Sequence, residues 1–344
     1  MARLVLDLHD LRPIWSVPRW AIEEIAAAAP DRFEVVVVDA LADGRGDGGG
    51  ASTEALDAVA TAEIYMGFGF PRPLFLAAEA GGGGLRWVHS ASAGVGGSLY
   101  ADMRESEVLL TNSAGIHAEP MADTILAAIL YFARGLDLAV RGQAEQRWAN
   151  DEFSAPDTPV HEIAGATVGV VGFGGIGQAV ARRAKALGMQ VLAFNRSGRS
   201  DGADVEVLAG EVGLERLLRE SRYLVLALPR TADTEDFLDR GRLDTLRGDA
   251  VVINVGRGEL LDEEALTDAL RRGRIRGAAL DVFRAEPLPS DSPLWALPNL
   301  LITPHVSATT DRFWRREVDL ITENLARYER GDPLLNVVAK HAGY

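Results

Sequence analysis

The chain has 344 residues, 47% of them hydrophobic, which is enough for about two domains with separate cores. Its net charge of −15 and pI of about 4.9 would repel phosphate backbones and anionic bilayers, so neither nucleic acid nor a membrane is expected as a partner. With no cysteine, disulfides, thiolate nucleophiles and cysteine metal sites are excluded, and no metal site is expected.

Met1-Ala2-Arg3 leads straight into Leu4–Leu8, which is broken by Asp7 and is too short and too charged for a signal peptide. The longest helical apolar stretch, near Ile125–Ala133, falls far short of the roughly 20 residues that span a bilayer. The expectation is a soluble, cytoplasmic protein. Arg3–Leu8 reads as a strand and Pro18–Ala29 as a helix stopped by Pro30-Asp31. The β-branched run Phe33–Val38 has the composition of a strand buried on both faces. Gly44–Gly50 reads as a mobile surface loop. A helix over Thr53–Ala60, a strand over Ala62–Met66 and a helix over Pro73–Ala80 follow. Strands at Leu85–Ser90 and Val108–Asn112 close a small parallel sheet.

Ile116–Arg134 is a long helix with Pro120 in its first turn, and Gly135–Pro159 is a polar arm or linker. A second set begins at Ala166. Its strands are Thr167–Val171, Gln190–Phe194, Tyr223–Leu228, Ala250–Val255 and Gly277–Val282, with Leu300–Thr303 as a further one. Helices at Gly175–Leu187, Leu214–Glu220 and Asp262–Arg272 lie between them. Such alternation implies right-handed crossovers and a doubly wound parallel sheet. Asp311–Arg330 is helical and charged, and it can close either set.

Gly172-Phe173-Gly174-Gly175-Ile176-Gly177 follows a strand and opens a helix, the context that gives a glycine-rich turn meaning for dinucleotides. Gly172 permits the tight turn, Gly174 lets a pyrophosphate approach the backbone, and Gly177 lets helix pack on strand; the helix N-terminus then holds the negative charge. An NAD enzyme usually carries Asp or Glu at the end of the next strand, accepting from the ribose 2′-hydroxyl. Here Asn195, Arg196 and Ser197 stand there, with Arg199 after them. Guanidinium and hydroxyl groups suit a 2′-phosphate that a carboxylate would repel, so NADP(H) is expected ahead of NAD(H).

Three further motifs sit at strand ends: Asn254-Val255-Gly256-Arg257-Gly258-Glu259, Asp281-Val282-Phe283-Arg284-Ala285-Glu286-Pro287 and Thr303-Pro304-His305-Val306-Ser307. Ligands of open α/β sheets bind at the carboxyl ends of strands, so all three face the cofactor crevice. Reducing a 2-oxo acid needs a clamp for its carboxylate and an acid for the oxygen that gains charge as hydride arrives. Arg257 suits the clamp. His305 suits the acid, with Glu286 as the carboxylate that orients it. Singly, each has a plain reading as a loop arginine, a turn glutamate and a hydrogen-bonded histidine; the joint pattern is what points to chemistry.

From about Leu85 to Thr310 the chain closely resembles the D-isomer-specific 2-hydroxyacid dehydrogenase family, and within it the glyoxylate/hydroxypyruvate reductases. The resemblance rests on Ser92-Ala93-Gly94-Val95, on Gly115 to Asp123, on the glycine turn and on the three strand-end motifs. It implies an α/β fold of two doubly wound parallel-sheet domains. One is a flavodoxin-like substrate domain, 1–114 completed by 311–344; the other is a Rossmann cofactor domain, 115–310. It implies a homodimer formed with the long helix. By position, Arg257 binds the substrate carboxylate, and His305 with Glu286 moves the proton. The cofactor contacts are Gly172, Gly174, Gly175, Ile176, Gly177, Asn195, Arg196, Ser197, Pro229, Thr231, Val255, Gly256, Asp281 and Ser307, with Asp281 at the nicotinamide carboxamide. The amides of Gly94 and Val95 reach the substrate carboxylate.

Tyr65 and Phe68, in an aromatic strand-end loop, are read as lining the pocket beyond C2, with Trp15 and Trp314 as further candidates. Two positions depart from the family pattern. Gly96 stands where an acidic residue is common, and Arg230 where a small or apolar one is; Arg230 either adds to a 2′-phosphate site or faces solvent. No regulatory domain follows residue 344, which weighs against a phosphoglycerate dehydrogenase, and Glu286 in place of glutamine weighs against a formate dehydrogenase. A dinucleotide sensor acting through a protein partner, as the family's corepressors do, is the alternative to the enzyme.

Overall fold

The apolar runs become parallel strands in a computed structural model that describes residues 1–43, 45–199 and 204–343. In chain order the elements are β1 (Ala2–Asp7), α1 (Arg19–Ala28), β2 (Phe33–Val37), α2 (Thr53–Val59), β3 (Ala62–Gly67), α3 (Arg72–Ala80), β4 (Trp87–Ser90), α4 (Ala101–Glu105) and β5 (Leu109–Asn112). Then come α5 (Ala118–Ala133), α6 (Leu136–Ala144), α7 (Asn150–Ser154), β6 (Thr167–Val171), α8 (Gly175–Ala186), β7 (Gln190–Phe194), β8 (Glu206–Leu208), α9 (Gly210–Glu220) and β9 (Tyr223–Leu226). The chain ends with α10 (Arg240–Thr245), β10 (Val251–Asn254), α11 (Glu263–Arg271), β11 (Gly277–Leu280), β12 (Leu300–Ile302) and α12 (Phe313–Arg330).

Two compact units result, Met1–His117 with Thr310–Tyr344, and Ala118–Thr309. The first holds a five-stranded parallel sheet in the order β2-β1-β3-β4-β5, the flavodoxin-like order. The second holds seven parallel strands ordered β12-β11-β10-β9-β6-β7-β8, so the chain reverses direction across the sheet between β6 and β9. That switch point is where an open α/β sheet leaves room for a ligand at the carboxyl ends of its strands. None of the described helices is long and apolar enough to cross a membrane.

Four details differ from the sequence-based expectation. β2 is an edge strand, so its valines are only half-buried instead of covered on both faces. Gly44 lies outside the described residues; the rest of that loop is pinned, with a 3-10 turn at Gly46–Gly48 and Asp47 accepting hydrogen bonds from Gly97 and Ser98. The arm contains α6 and α7, and Asp137 of α6 forms a mostly buried ion pair with Arg276 at 2.8 Å, so a tertiary contact stabilises a helix of weak apolar pattern. α4, β8 and α10 were not foreseen, being only 5, 3 and 6 residues long.

α12 packs in the first unit, against α1 among other elements, and buries Phe313, Trp314, Glu317, Val318, Ile321, Asn324 and Leu325. Glu317 is the charged member of that buried stripe. It meets His89 Nε2 of β4 at 2.8 Å and accepts from the Ser113 hydroxyl, while His89 Nδ1 lies 2.8 Å from the Thr111 hydroxyl. Both side chains are fully buried. Removing one member leaves buried polar atoms of the other unpaired, a loss of about 1–3 kcal/mol, so the network helps fix α12 on the sheet.

Candidate active site

Three turns beyond the carboxyl ends of β10, β11 and β12 carry Arg257, Glu286 and His305, all in the second unit. β10 ends at Asn254, and the Asn254 side chain closes the turn that follows. Its Oδ1 accepts from the Gly256 amide at 3.0 Å and its Nδ2 donates to the Arg257 carbonyl at 2.9 Å. Gly258 lets this turn lie directly on the next one, since a Cβ there would sit 2.0 Å from the Phe283 carbonyl carbon. Arg257 is thereby held extended with its side chain exposed, and its Nη1 donates to the Gly256 carbonyl at 2.7 Å.

β11 leads into Asp281, which is buried. Its Oδ1 accepts from the Thr303 hydroxyl at 2.6 Å and the Val306 amide at 2.9 Å, and its Oδ2 accepts from the Ser307 amide at 3.0 Å. The Asp281 carbonyl takes the His305 amide at 2.8 Å. These bonds wrap residues 303–307 around one carboxylate and hold His305 at φ +55°, a left-handed conformation costing a non-glycine residue about 1–2 kcal/mol. Asp281 therefore positions the histidine, and Oδ2 keeps a lone pair for the cofactor role expected of it.

His305 Nδ1 lies 2.7 Å from Glu286 Oε2, and Glu286 Oε1 accepts from the Phe283 amide at 2.9 Å. A carboxylate at Nδ1 is an acceptor for that nitrogen and leaves Nε2 as the one to meet a reactant. The His305 side chain is 51% exposed and that of Glu286 35%, so the pair stands open to a reactant.

At the switch point β6 runs into Gly172 at φ +98°, where a Cβ would lie 2.5 Å from the Ala227 carbonyl oxygen. Gly177 packs on the Gly172 carbonyl. Gly174 faces open space and is the N-cap of α8, with no side chain capping the amides of Gly175, Ile176 and Gly177. An uncapped helix start beside an open backbone cradle fits a pyrophosphate. The residues present therefore fit a dinucleotide.

At the end of β7, Asn195 Oδ1 accepts from the amides of Ser197 and Gly198 and from the Ser197 hydroxyl, and Nδ2 donates to the Arg199 carbonyl at 2.8 Å. Asn195 thus builds the turn that presents the exposed Arg196, Ser197 and Arg199. Pro229 and Thr231 belong to a second turn, closed by the Thr234 hydroxyl, which donates to the Pro229 carbonyl and accepts the Thr231 amide, both at 2.8 Å. Arg230 pairs with Glu259 at 2.8 Å and keeps its side chain largely exposed.

Residues 126–307 match the model of the D-isomer specific 2-hydroxyacid dehydrogenase NAD binding domain. The chain belongs to the D-isomer specific 2-hydroxyacid dehydrogenase family. It is 34% identical over 254 residues to the glyoxylate reductase of Korarchaeum cryptofilum, covering 74% of this chain and 76% of that protein. A family member from Xanthobacter autotrophicus, solved with NADPH and MES, is 29% identical with a TM-score of 0.80 over 100% of both chains. An NADPH-dependent glyoxylate/hydroxypyruvate reductase from Sinorhizobium meliloti, solved with NADP and sulfate, is 28% identical with a TM-score of 0.77, again over 100% of both chains.

The residues of this dehydrogenase assigned to substrate contact fall into two groups. Arg257 lies in the second unit; Gly94, Val95, Tyr65 and Phe68 lie in the first. Gly94 is half-buried and Val95 buried, in the turn after β4. Tyr65 and Phe68 have packing roles instead of an open pocket face. Tyr65 is 1% exposed, stacks edge-on with Phe70 and donates its hydroxyl to Asp7 at 2.5 Å. Burial raises the Asp7 carboxyl above its ordinary pKa despite that bond. Phe68 is buried against Trp314, and Trp15 packs on Phe313. Sequence reasoning missed Asn254 and Thr303 as builders of the site. Asn two residues before Gly was the available signal for Asn254; nothing local to Thr303 pointed to its partner 22 residues away.

Proposed function

We propose that this dehydrogenase reduces glyoxylate, hydroxypyruvate or a similar small 2-oxo acid to the D-2-hydroxy acid with NADPH. The single observation carrying this reading is the His305–Glu286 pair at 2.7 Å with Arg257 on the neighbouring strand end. The bound nicotinamide supplies the hydride to C2. Arg257 holds the substrate carboxylate with two parallel hydrogen bonds and draws charge toward the carbonyl oxygen. His305 Nε2 delivers the proton to that oxygen, while Glu286 holds the ring in place through Nδ1. In the oxidative direction the same nitrogen takes the hydroxyl proton back. In the first unit, the Gly94 and Val95 amides are the donors that the family resemblance assigns to a substrate carboxylate. An NADPH-oxidation assay over a panel of 2-oxo acids tests the reading. Turnover with the small unphosphorylated acids supports it, and tight NADPH binding without turnover would instead favour a sensor.

The preference for NADPH rests on Arg196, Ser197 and Arg199 at the end of β7, where no carboxylate stands. Asn195→Asp puts a negative charge beside the 2′-phosphate. The kcat/KM ratio of NADPH over NADH is expected to fall about 10- to 100-fold, read from initial rates with each cofactor. An unchanged ratio would place the 2′-phosphate elsewhere.

The same reading makes the protein a cytoplasmic homodimer through α5 and the arm. Leu130, Leu136 and Val140 are exposed there, and Trp148 is 93% exposed. Light scattering should give twice the chain mass; the mass of one chain would contradict this.

A further inference from the structure

The loop after β2 is glycine-rich, yet it carries a half-buried anchor. Asp47 Oδ2 accepts from the Gly97 amide and, at 3.3 Å, from the Ser98 amide, while Oδ1 accepts from the Ser98 hydroxyl. Ser98 Oγ in turn accepts from the Phe70 amide at 2.9 Å. The backbone is matched to this contact as well as the side chain. A Cβ at Gly97 would lie 2.2 Å from the Asp47 carbonyl oxygen, and one at Gly69 would lie 2.6 Å from the Asp47 Cα. Two surrounding turns therefore have glycine where the Asp47 backbone rests. Burial raises the Asp47 carboxyl above its ordinary pKa, while the bonds from Ser98 and Gly97 pull it down.

What Asp47 grips lies just past Gly94 and Val95. On their other side, the Asn112 side chain donates to the Ala93 carbonyl at 2.8 Å. Val95 is buried, and its carbonyl accepts the Ser98 amide at 3.1 Å. The 93–98 turn is thus clamped at one end by Asn112 and at the other by Asp47. Between the clamps stand the two amides assigned to the substrate carboxylate. All of these residues belong to the first unit.

We propose that Asp47 is a positioning residue for substrate, holding residues 97–98 so that the Gly94 and Val95 amides are fixed to receive a carboxylate. The inference rests on the functional reading above. It makes the glycine-rich loop a determinant of substrate affinity and leaves cofactor binding, at the other sheet, independent of it. Asparagine keeps the arrangement: its oxygen can accept both amides and its Nδ2 can donate to Ser98 Oγ, which still has a lone pair to spare. Alanine keeps none of it.

The test compares wild type, D47A and D47N with glyoxylate and NADPH, with hydrogen exchange followed over residues 93–99. For D47A the glyoxylate KM should rise about 10- to 100-fold. Its kcat should stay within about twofold, its NADPH Kd should not change, and residues 93–99 should exchange faster. D47N should return KM to within about threefold of wild type. S98A removes the hydroxyl's bonds to Asp47 and from the Phe70 amide but leaves Asp47 its bonds from the Gly97 and Ser98 amides; it should raise KM by a smaller factor and serves if D47A does not fold. Wild-type turnover with an unchanged KM in D47A and S98A overturns this proposal alone. A KM raised equally in D47A and D47N overturns it too, because charge and not positioning would then be the cause. Wild type without turnover of any 2-oxo acid overturns the functional reading, and this inference with it.

Discussion

His305→Asn is expected to lower kcat by about 10²- to 10⁴-fold while leaving NADPH affinity unchanged. Asparagine is the informative replacement because His305 sits at φ +55°, a conformation Asn tolerates better than most residues. The Asp281 carbonyl would keep its bond to the residue 305 amide, and the 303–307 turn would stay wrapped on the Asp281 carboxylate. What disappears is a nitrogen able to give and take a proton. A fall of less than about tenfold would mean that another group, or water, protonates the carbonyl oxygen.

The second large effect is at Arg257. Two charged hydrogen bonds to a carboxylate are worth about 1.5–3 kcal/mol each, so Arg257→Ala should reduce kcat/KM by about 10²- to 10⁴-fold. Arg257→Lys should recover little of this, since an ammonium cannot present two parallel donors in a plane. The loss should appear in both kcat and KM, because the guanidinium holds the ground-state carboxylate and also stabilises charge gathering on the adjacent oxygen. The fold should survive both changes: among the described residues the exposed Arg257 side chain bonds only its neighbour's carbonyl at Gly256, while Asn254 closes the turn through backbone groups that any residue supplies. Loss confined to KM would make Arg257 a simple binding residue.

Much of this was legible beforehand, for reasons of chemistry. The Gly172–Gly177 turn is readable because its glycines answer local demands: a positive φ at Gly172 and a close approach at Gly177. Arg257, Glu286 and His305 are readable because their chemical types, at three successive strand ends, suit one reaction. What escaped is what topology creates. Asp281 looked like a cofactor ligand, but its contacts with Thr303, Val306 and Ser307 exist only because β11 and β12 lie side by side. Asn195, read as a cofactor contact, is also the keystone of its turn. Tyr65 and Phe68 looked like pocket walls because strand-end aromatics often are; here the hydroxyl of one is taken by Asp7 and the other is packed under Trp314. Composition marked the loop around Asp47 as mobile, since glycine usually signals freedom. Part of the glycine content that mattered was across the interface, at Gly69 and Gly97, where it makes room for the anchor.

The central claim is hydride transfer from NADPH to C2 of a small 2-oxo acid. It is tested most directly by reacting glyoxylate and hydroxypyruvate with NADPH carrying two deuterons at C4 of the nicotinamide and analysing the products by mass spectrometry and chiral chromatography. One deuteron at C2 of glycolate, and D-glycerate deuterated at C2, are the predicted products. NADPH oxidation without label at C2, or no product from any 2-oxo acid tried, would contradict the account.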